Sequence, residues 1–196
     1  MGLELLPADI LKLYEVHEWK HASAILASDF PEEYADIIGL LQQFRLNKTD
    51  ILSPGGRKSN ISSKIDGFLY KRGWKEKKFD TKILVDSLYS ESPTHKIDCY
   101  KNRVALEIEW NNKDPFFDRD LNNFRLLFDL RVISVGIIIT RSDELQQIFD
   151  KLNKGDSYGA STTHMSKLLP RINGGGGAGC PILVFGITKK LYDENA

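Results

Sequence analysis

Lys96-Ile97-Asp98-Cys99-Tyr100-Lys101-Asn102-Arg103-Val104-Ala105-Leu106-Glu107-Ile108-Glu109-Trp110 is the stretch on which the fold of this 196-residue chain turns. Apolar Val104, Leu106, Ile108 and Trp110 alternate with Arg103, Ala105, Glu107 and Glu109, which is the period of a strand. The apolar set meets a core, and Glu107 and Glu109 stand together on the other face. Lys96 to Tyr100 reads as a partner strand. With Lys101-Asn102 as the turn, Tyr100 faces Arg103 and Asp98 faces Ala105; a four-residue turn gives the same pairing. Asp98 then shares the glutamates' face, diagonal to Glu107 with about 7–8 Å between backbones.

Three carboxylates gathered on one sheet face repel, and burial raises their pKa values unless a cation answers them. Asp98 and Glu107, reaching toward each other, can hold one ion between them. Hard oxygen ligands suit Mg²⁺, with Mn²⁺ able to substitute, better than zinc. The alternative at this level is a solvated strand face on which like charges are simply tolerated.

Outward from the hairpin, the helical period dominates the first third of the chain. Residues 8–28 carry Ile10, Leu11, Tyr14, Trp19, Ala22 and Ile25-Leu26 in a helical pattern. Residues 31–45 begin with Pro31, Glu32 and Glu33, as a helix start should. Ser53-Pro54-Gly55-Gly56 breaks the chain, and Ile61, Ile65, Phe68 and Leu69 restart a helix that Gly73 ends. Beyond Trp74 strands are expected at Phe79–Asp86, 96–100, 103–110, 132–139 and 181–187. Helices are expected at about 117–129, 143–153 and 162–171, with a glycine-rich loop at 173–179. This order predicts an α/β fold in which a mixed central sheet has helices on both faces. One domain is expected over residues 1–196, with 1–72 its mainly helical part and 73–190 its sheet and loops.

Composition narrows the class. The chain is 41% hydrophobic and 28% charged, with 27 basic and 27 acidic residues, which is a globular balance and not a coat of positive charge for DNA. The longest apolar run, Val132 to Ile139, is far short of the roughly 20 residues a membrane helix needs. The first residues lack a basic export signal, and Cys99 and Cys180 read as free thiols, so the expected compartment is the cytoplasm. Several motifs fail. The Lys58-Ser59 pair lacks P-loop glycines, since Leu52 and Arg57 stand there. Gly159-Ala160-Ser161 lacks the last glycine of a nucleophile elbow. Glycines 174–177 follow a helix, so no nucleotide cofactor is expected. His17 and His21 lack a third metal ligand, His95 precedes the acidic hairpin, and Asp114, Asp118 and Asp120 read as caps of the helix beginning there.

Asp98, then Glu107 nine residues on, then one residue and Glu109, resembles the PD-(D/E)xK nuclease motif, with Glu in place of the usual Lys. The wider stretch resembles the BglII/BstYI branch of type II restriction endonucleases, with the Glu-x-Glu ending of BamHI. The likeness continues in Ser53-Pro54, Gly73-Trp74-Lys75-Glu76 and Cys180-Pro181-Ile182-Leu183-Val184-Phe185-Gly186-Ile187, over about residues 50–190. The resemblance implies that Asp98, Glu107 and the carbonyl of Ile108 ligate the metal. Glu109, standing where relatives have Lys or Gln, would accept a proton or bind the metal or its water. Glu76 lies close to where relatives place a further polar active-site residue, or is an exposed charge.

Asn111-Asn112-Lys113 should emerge beside the scissile phosphate, where Asn can pair with adenine and Lys with guanine or phosphate. Ser161-Thr162-Thr163 lie where the relatives carry recognition loops, or cap the next helix. Lys167 and Arg171 face phosphates, or solvent. The expectation is a Mg²⁺-dependent, sequence-specific endonuclease on double-stranded DNA, a homodimer at a short palindrome with a GATC-like centre. A nuclease without sequence preference, as in repair or phage defence, and a non-catalytic DNA-binding module are the rivals. A carboxylate-pair glycosidase is disfavoured, because both acids lie on adjacent strands and not across a cleft.

Overall fold

A computed structural model describes residues 2–53, 58–86, 88–92 and 94–196. Pro54, Gly55, Gly56 and Arg57, which figure in the expected chain break and in the Ser53-Pro54 likeness, lie outside the described residues. The strands are β1 (Tyr14–Trp19), β2 (Leu46–Asn47), β3 (Lys75–Lys77), β4 (Thr81–Val85), β5 (Leu88–Ser92), β6 (Ile97–Lys101), β7 (Val104–Glu109), β8 (Val135–Arg141), β9 (Ile182–Ile187) and β10 (Tyr192–Asp193). The helices are α1 (Ala8–Leu13), α2 (Ala22–Asp29), α3 (Pro31–Gln43), α4 (Lys48–Leu52), α5 (Asn60–Tyr70), α6 (Phe116–Asp129), α7 (Gln146–Lys151) and α8 (Met165–Asn173).

Six strands form one sheet in the order β1-β9-β8-β7-β6-β3, parallel across β9-β8-β7 and antiparallel elsewhere. Every residue of β7, β8 and β9 is buried, as expected of parallel strands covered on both faces. Val104, Leu106, Ile108, Val135, Ile137, Ile139, Leu183 and Phe185 join Ile10, Leu26, Ile37, Leu41, Ile61 and Ile65 of the N-terminal helices in one core. On the opposite face Ala105, Ile138, Ile182 and Val184 meet Phe117, Leu121, Phe124 and Leu127 of α6 and Met165, Leu168 and Ile172 of α8. The α6 positions recur at three- and four-residue spacing, so that helix buries one stripe. The mixed sheet between two helical layers matches the expected α/β class. No helix among the described residues is long and apolar enough to cross a membrane.

Three expectations change. The helical pattern over 8–28 contains a strand: Tyr14–Trp19 pairs antiparallel with β9, Val16 opposite Phe185. Tyr14 and Val16 alternate there with Glu15 and His17, a period-two signal hidden between two short helices, and left-handed Lys20 and His21 (φ 56° and 57°) turn the chain into α2. His17 and His21 therefore do not share a helix. The expected strand at 79–86 is a hairpin of its own, β4 against β5, and the strand that joins the main sheet beside β6 is the short β3. The turn after β6 is Asn102-Arg103, both at positive φ (42° and 70°), as a two-residue turn of type I′ requires.

At Gly136 the Phe124 ring of α6 packs directly on the sheet backbone: a Cβ there would lie 2.5 Å from Phe124 Cδ2. Gly136→Ala should lower stability by about 1–3 kcal/mol, the range for overpacking a close-packed interior, measured by urea unfolding. Arg103→Gly should instead raise it by up to about 1 kcal/mol, by relieving a side chain held in the left-handed region.

Candidate active site

The type I′ turn sets the hairpin register. Lys101 pairs with Val104, Tyr100 with Ala105 and Cys99 with Leu106. Each partner is two residues further on than the Lys101-Asn102 turn predicts, so the register sets Asp98 against Glu107 and not diagonal to it. Beyond Cys99 and Leu106 the regular ladder stops. In its place the Asp98 amide donates to Glu107 Oε2 (3.2 Å) and the Ile108 amide donates to Asp98 Oδ2 (2.9 Å). Each acid thus occupies a backbone position of the other strand. The Tyr70 hydroxyl, at the end of α5, donates to the Asp98 carbonyl (3.0 Å) and steadies the same point.

Glu107 and Glu109 continue the Ala105 face, so they lie beneath α6 and not in solvent, each 1% exposed. Period two and the two-sided burial of a central strand place them there together. Asp120, on the first turns of α6, faces the same space and is fully buried, where a helix cap was expected. Its Oδ1 accepts from Arg119 Nε (3.1 Å) and Nη2 (2.9 Å), and His95 Nε2 lies 3.1 Å from it and 3.2 Å from Glu107 Oε1. Glu109 Oε2 accepts from Asn112 Nδ2 (2.8 Å), and Glu109 Oε1 is 3.5 Å from Arg119 Nη2.

Four acids gathered around one guanidinium and one imidazole, when ionised, hold excess negative charge out of water. Burial pushes Asp98 up to about 6, against the lowering effect of the Ile108 amide. Burial, and then the Asp120 carboxylate, push Glu109 up to about 10. Burial raises Glu107 strongly, with Asp120 and Asp98 adding to it. Such a group is stabilised by protons or by a divalent cation, and acid oxygens with an adjoining carbonyl suit a hard ion. Asp98, Glu107 and the Ile108 carbonyl can hold one.

Asp98, Ile108 and Glu109 line a groove of about 640 Å³ with Lys58, Glu76, Asn111, Asn112 and Arg119. Glu76 is exposed on β3 and paired with Lys96 (2.7 Å), so it stands at the rim. Asn111 and Asn112 are exposed, but Asn111 donates to the Ser157 carbonyl (3.0 Å) and Asn112 positions Glu109. Lys113 is exposed and forms a backbone bridge with Thr162, so the loop after β7 and the loop before α8 are one unit. Buried Arg141 anchors that unit from beneath, donating to the Tyr158 carbonyl and to Thr162 Oγ1, both at 2.8 Å. Ser161 is exposed, Thr162 is half-buried, and buried Thr163 accepts from the Asn112 amide (3.2 Å). Lys167 and Arg171 are engaged by Asp114, on the turn before α6, and Arg171 also by Asp118 within it, Arg171 Nε lying 2.9 Å from Asp118 Oδ1.

Asp120 and Arg119 are the site residues that sequence reasoning missed, and His95 was noticed without a role. Their signal was faint: Asp120 lies within an acidic cluster at a helix start, where capping is the ordinary reading, and its facing depends on the phase of α6 against the sheet.

The family model described as restriction endonuclease BglII/BglIII matches residues 14–187 of the chain. No curated protein matches it.

These pKa directions predict how the metal-free protein responds to pH. An acid raised by folding binds its proton more tightly folded than unfolded, so its contribution is full below the unfolded pKa and is lost as pH rises through the folded one. Stability should fall from pH 4 toward 6 as Asp98 ionises and go on falling toward 10 with Glu109. Thermal melts across that range should show it, and Glu109→Gln should flatten the upper part.

Proposed function

We propose, for a chain that belongs to the restriction endonuclease BglII/BglIII family, that the pocket beneath α6 hydrolyses phosphodiester bonds of double-stranded DNA lying in the groove. The family is one of type II site-specific DNA endonucleases, and its fold is the α/β sheet described above. The finer reading is Mg²⁺ dependence, with Mn²⁺ able to substitute, and a homodimer cutting both strands of a short palindrome with a GATC-like centre. Two-fold symmetry of protein and DNA is what lets one small chain make a cut in each strand. The whole chain acts as one nuclease domain in the cytoplasm, where the buried thiols Cys99 and Cys180 stay reduced.

The observation that carries the reading is the gathering of Asp98, Glu107, Glu109 and Asp120 where β6 and β7 part, at the edge of an open groove. Asp98, Glu107 and the Ile108 carbonyl would hold the ion, which stabilises charge growing on the phosphate and makes the attacking water more acidic. Glu109 cannot supply the positive charge of the lysine it replaces. Held by Asn112 and faced by Arg119, and ionised once a bound cation offsets the burial that pushes it up to about 10, it would be oriented to take the proton of the water that attacks phosphorus as the bridging P–O bond breaks. Arg119, whose Nη2 lies 2.9 Å from Asp120 and 3.5 Å from Glu109, offsets the repulsion between those acids. Asn111 lines the groove, exposed Lys113 and Ser161 lie on the two joined loops that continue from it, and these are the residues proposed to meet bases and phosphates, with Glu76 at the rim.

Plasmid digestion in Mg²⁺ tests this. Discrete bands are expected, with 5′-phosphate ends; a smear would make the protein a nuclease without sequence preference. Glu107→Ala should reduce cutting by about a thousandfold or more, as loss of a principal transition-state charge contact does. A variant that melts like the metal-free wild type yet still cuts would sink the assignment.

A further inference from the structure

Glu107 presents its two oxygens to two different environments. Oε2 lies toward Asp98, whose amide it accepts, and Oε1 lies toward His95. On the His95 side, His95 Nε2, Glu107 Oε1 and an Asp120 oxygen all lie within 4.8 Å of one another. The two measured edges, 3.1 and 3.2 Å, are close to the separation of about 3.0 Å between neighbouring ligands that each bind an octahedral ion at about 2.1 Å. Asp120 is fully buried, and its Oδ2 receives no hydrogen bond from the described residues. Glu109 is the acid beside that carboxylate, and the Asp120 charge is, after burial, among the causes that push it up to about 10, so the two share one proton in the absence of a cation. Asn123, one turn along on the same side of α6 and also buried, finds no partner among the described residues for Oδ1 or Nδ2. An ion with its water ligands would satisfy these groups together.

We infer that His95, Glu107 and Asp120 form a second divalent-cation position on the α6 side of Glu107, separate from the one toward Asp98, with Glu107 bridging the two. The inference deepens the reading of the acidic pocket proposed above. The two positions differ in chemistry. Asp98, Glu107 and the Ile108 carbonyl offer oxygen alone, which Mg²⁺ accepts. The inner position adds an imidazole nitrogen, which favours Mn²⁺ and its transition-metal neighbours over Mg²⁺. Two-metal sites that share a carboxylate are an established way of holding both oxygens of a phosphodiester displacement. Here the second ion would also neutralise the carboxylate on α6, and so tie that helix to the sheet.

The test is a Mn²⁺ titration of the metal-free full-length protein, followed by electron paramagnetic resonance, without and with excess Mg²⁺. Two Mn²⁺ per chain are expected, of which Mg²⁺ displaces one. The retained ion should carry the spin-echo modulation of a ligated imidazole nitrogen. His95→Gln should abolish that modulation, and both it and Asp120→Asn should weaken the retained ion at least tenfold. Asp98→Asn should remove the displaceable ion and leave the retained one. One Mn²⁺ per chain in the wild type, or two with no nitrogen signal, overturns the inference; the wild-type spectrum decides this even where a variant folds poorly. If the nitrogen-ligated ion is present but Asp98→Asn cleaves plasmid like the wild type, the inner site stands and the nuclease reading of Asp98 falls.

Discussion

Putting two glutamates on the inward face of a central strand, 1% exposed and under a helix, is the constraint from which the rest of this structure follows. An ionised carboxylate in such a place costs several kcal/mol unless it is paired or hydrogen-bonded. The fold answers it with the Asp98 amide, with Arg119 and His95, and with Asn112. None of these removes the excess of negative charge, and that excess makes the pocket a place for a cation.

The scaffold around the pocket is rigid where the chemistry needs it. Parallel β7, β8 and β9 are buried on both faces, and Gly136 lets Phe124 sit against them, which fixes the depth of α6 and so the position of Asp120. The type I′ turn at Asn102-Arg103 fixes the register that sets Asp98 against Glu107. Openness lies on the other side, where the regular β6–β7 ladder stops at the Cys99–Leu106 pair and the groove reaches Asp98 and Glu109. The groups proposed to carry the chemistry are anchored in the sheet, and the polar loops proposed to meet DNA, at Asn111 and Ser161, extend from it.

Much of this was legible in the residues. Alternation at Val104–Trp110 placed both glutamates on one face, and the hairpin brings Asp98 to Glu107 although its turn lies one residue later than the sequence suggested. Burial of that face was not legible: a strand with polar residues on one side reads as half-exposed, and only α6 crossing above it reverses that. The same crossing turned Asp120 from a cap into a member of the cluster, and turned Lys167 and Arg171 toward Asp114 and Asp118. Strand β1 was obscured because Tyr14 and Trp19 fit a helical period as well as an extended one, and pairing with β9 decides between them.

Calorimetry of Mg²⁺ binding at pH 7, in buffers of different ionisation heat, counts the protons an incoming ion displaces and so reads the central claim directly. Carboxyls held protonated by burial must release protons to become ligands, so the account predicts one or more protons released for each Mg²⁺ bound. Binding with no proton release, or no Mg²⁺ binding, would mean that the acids beneath α6 are not a cation site.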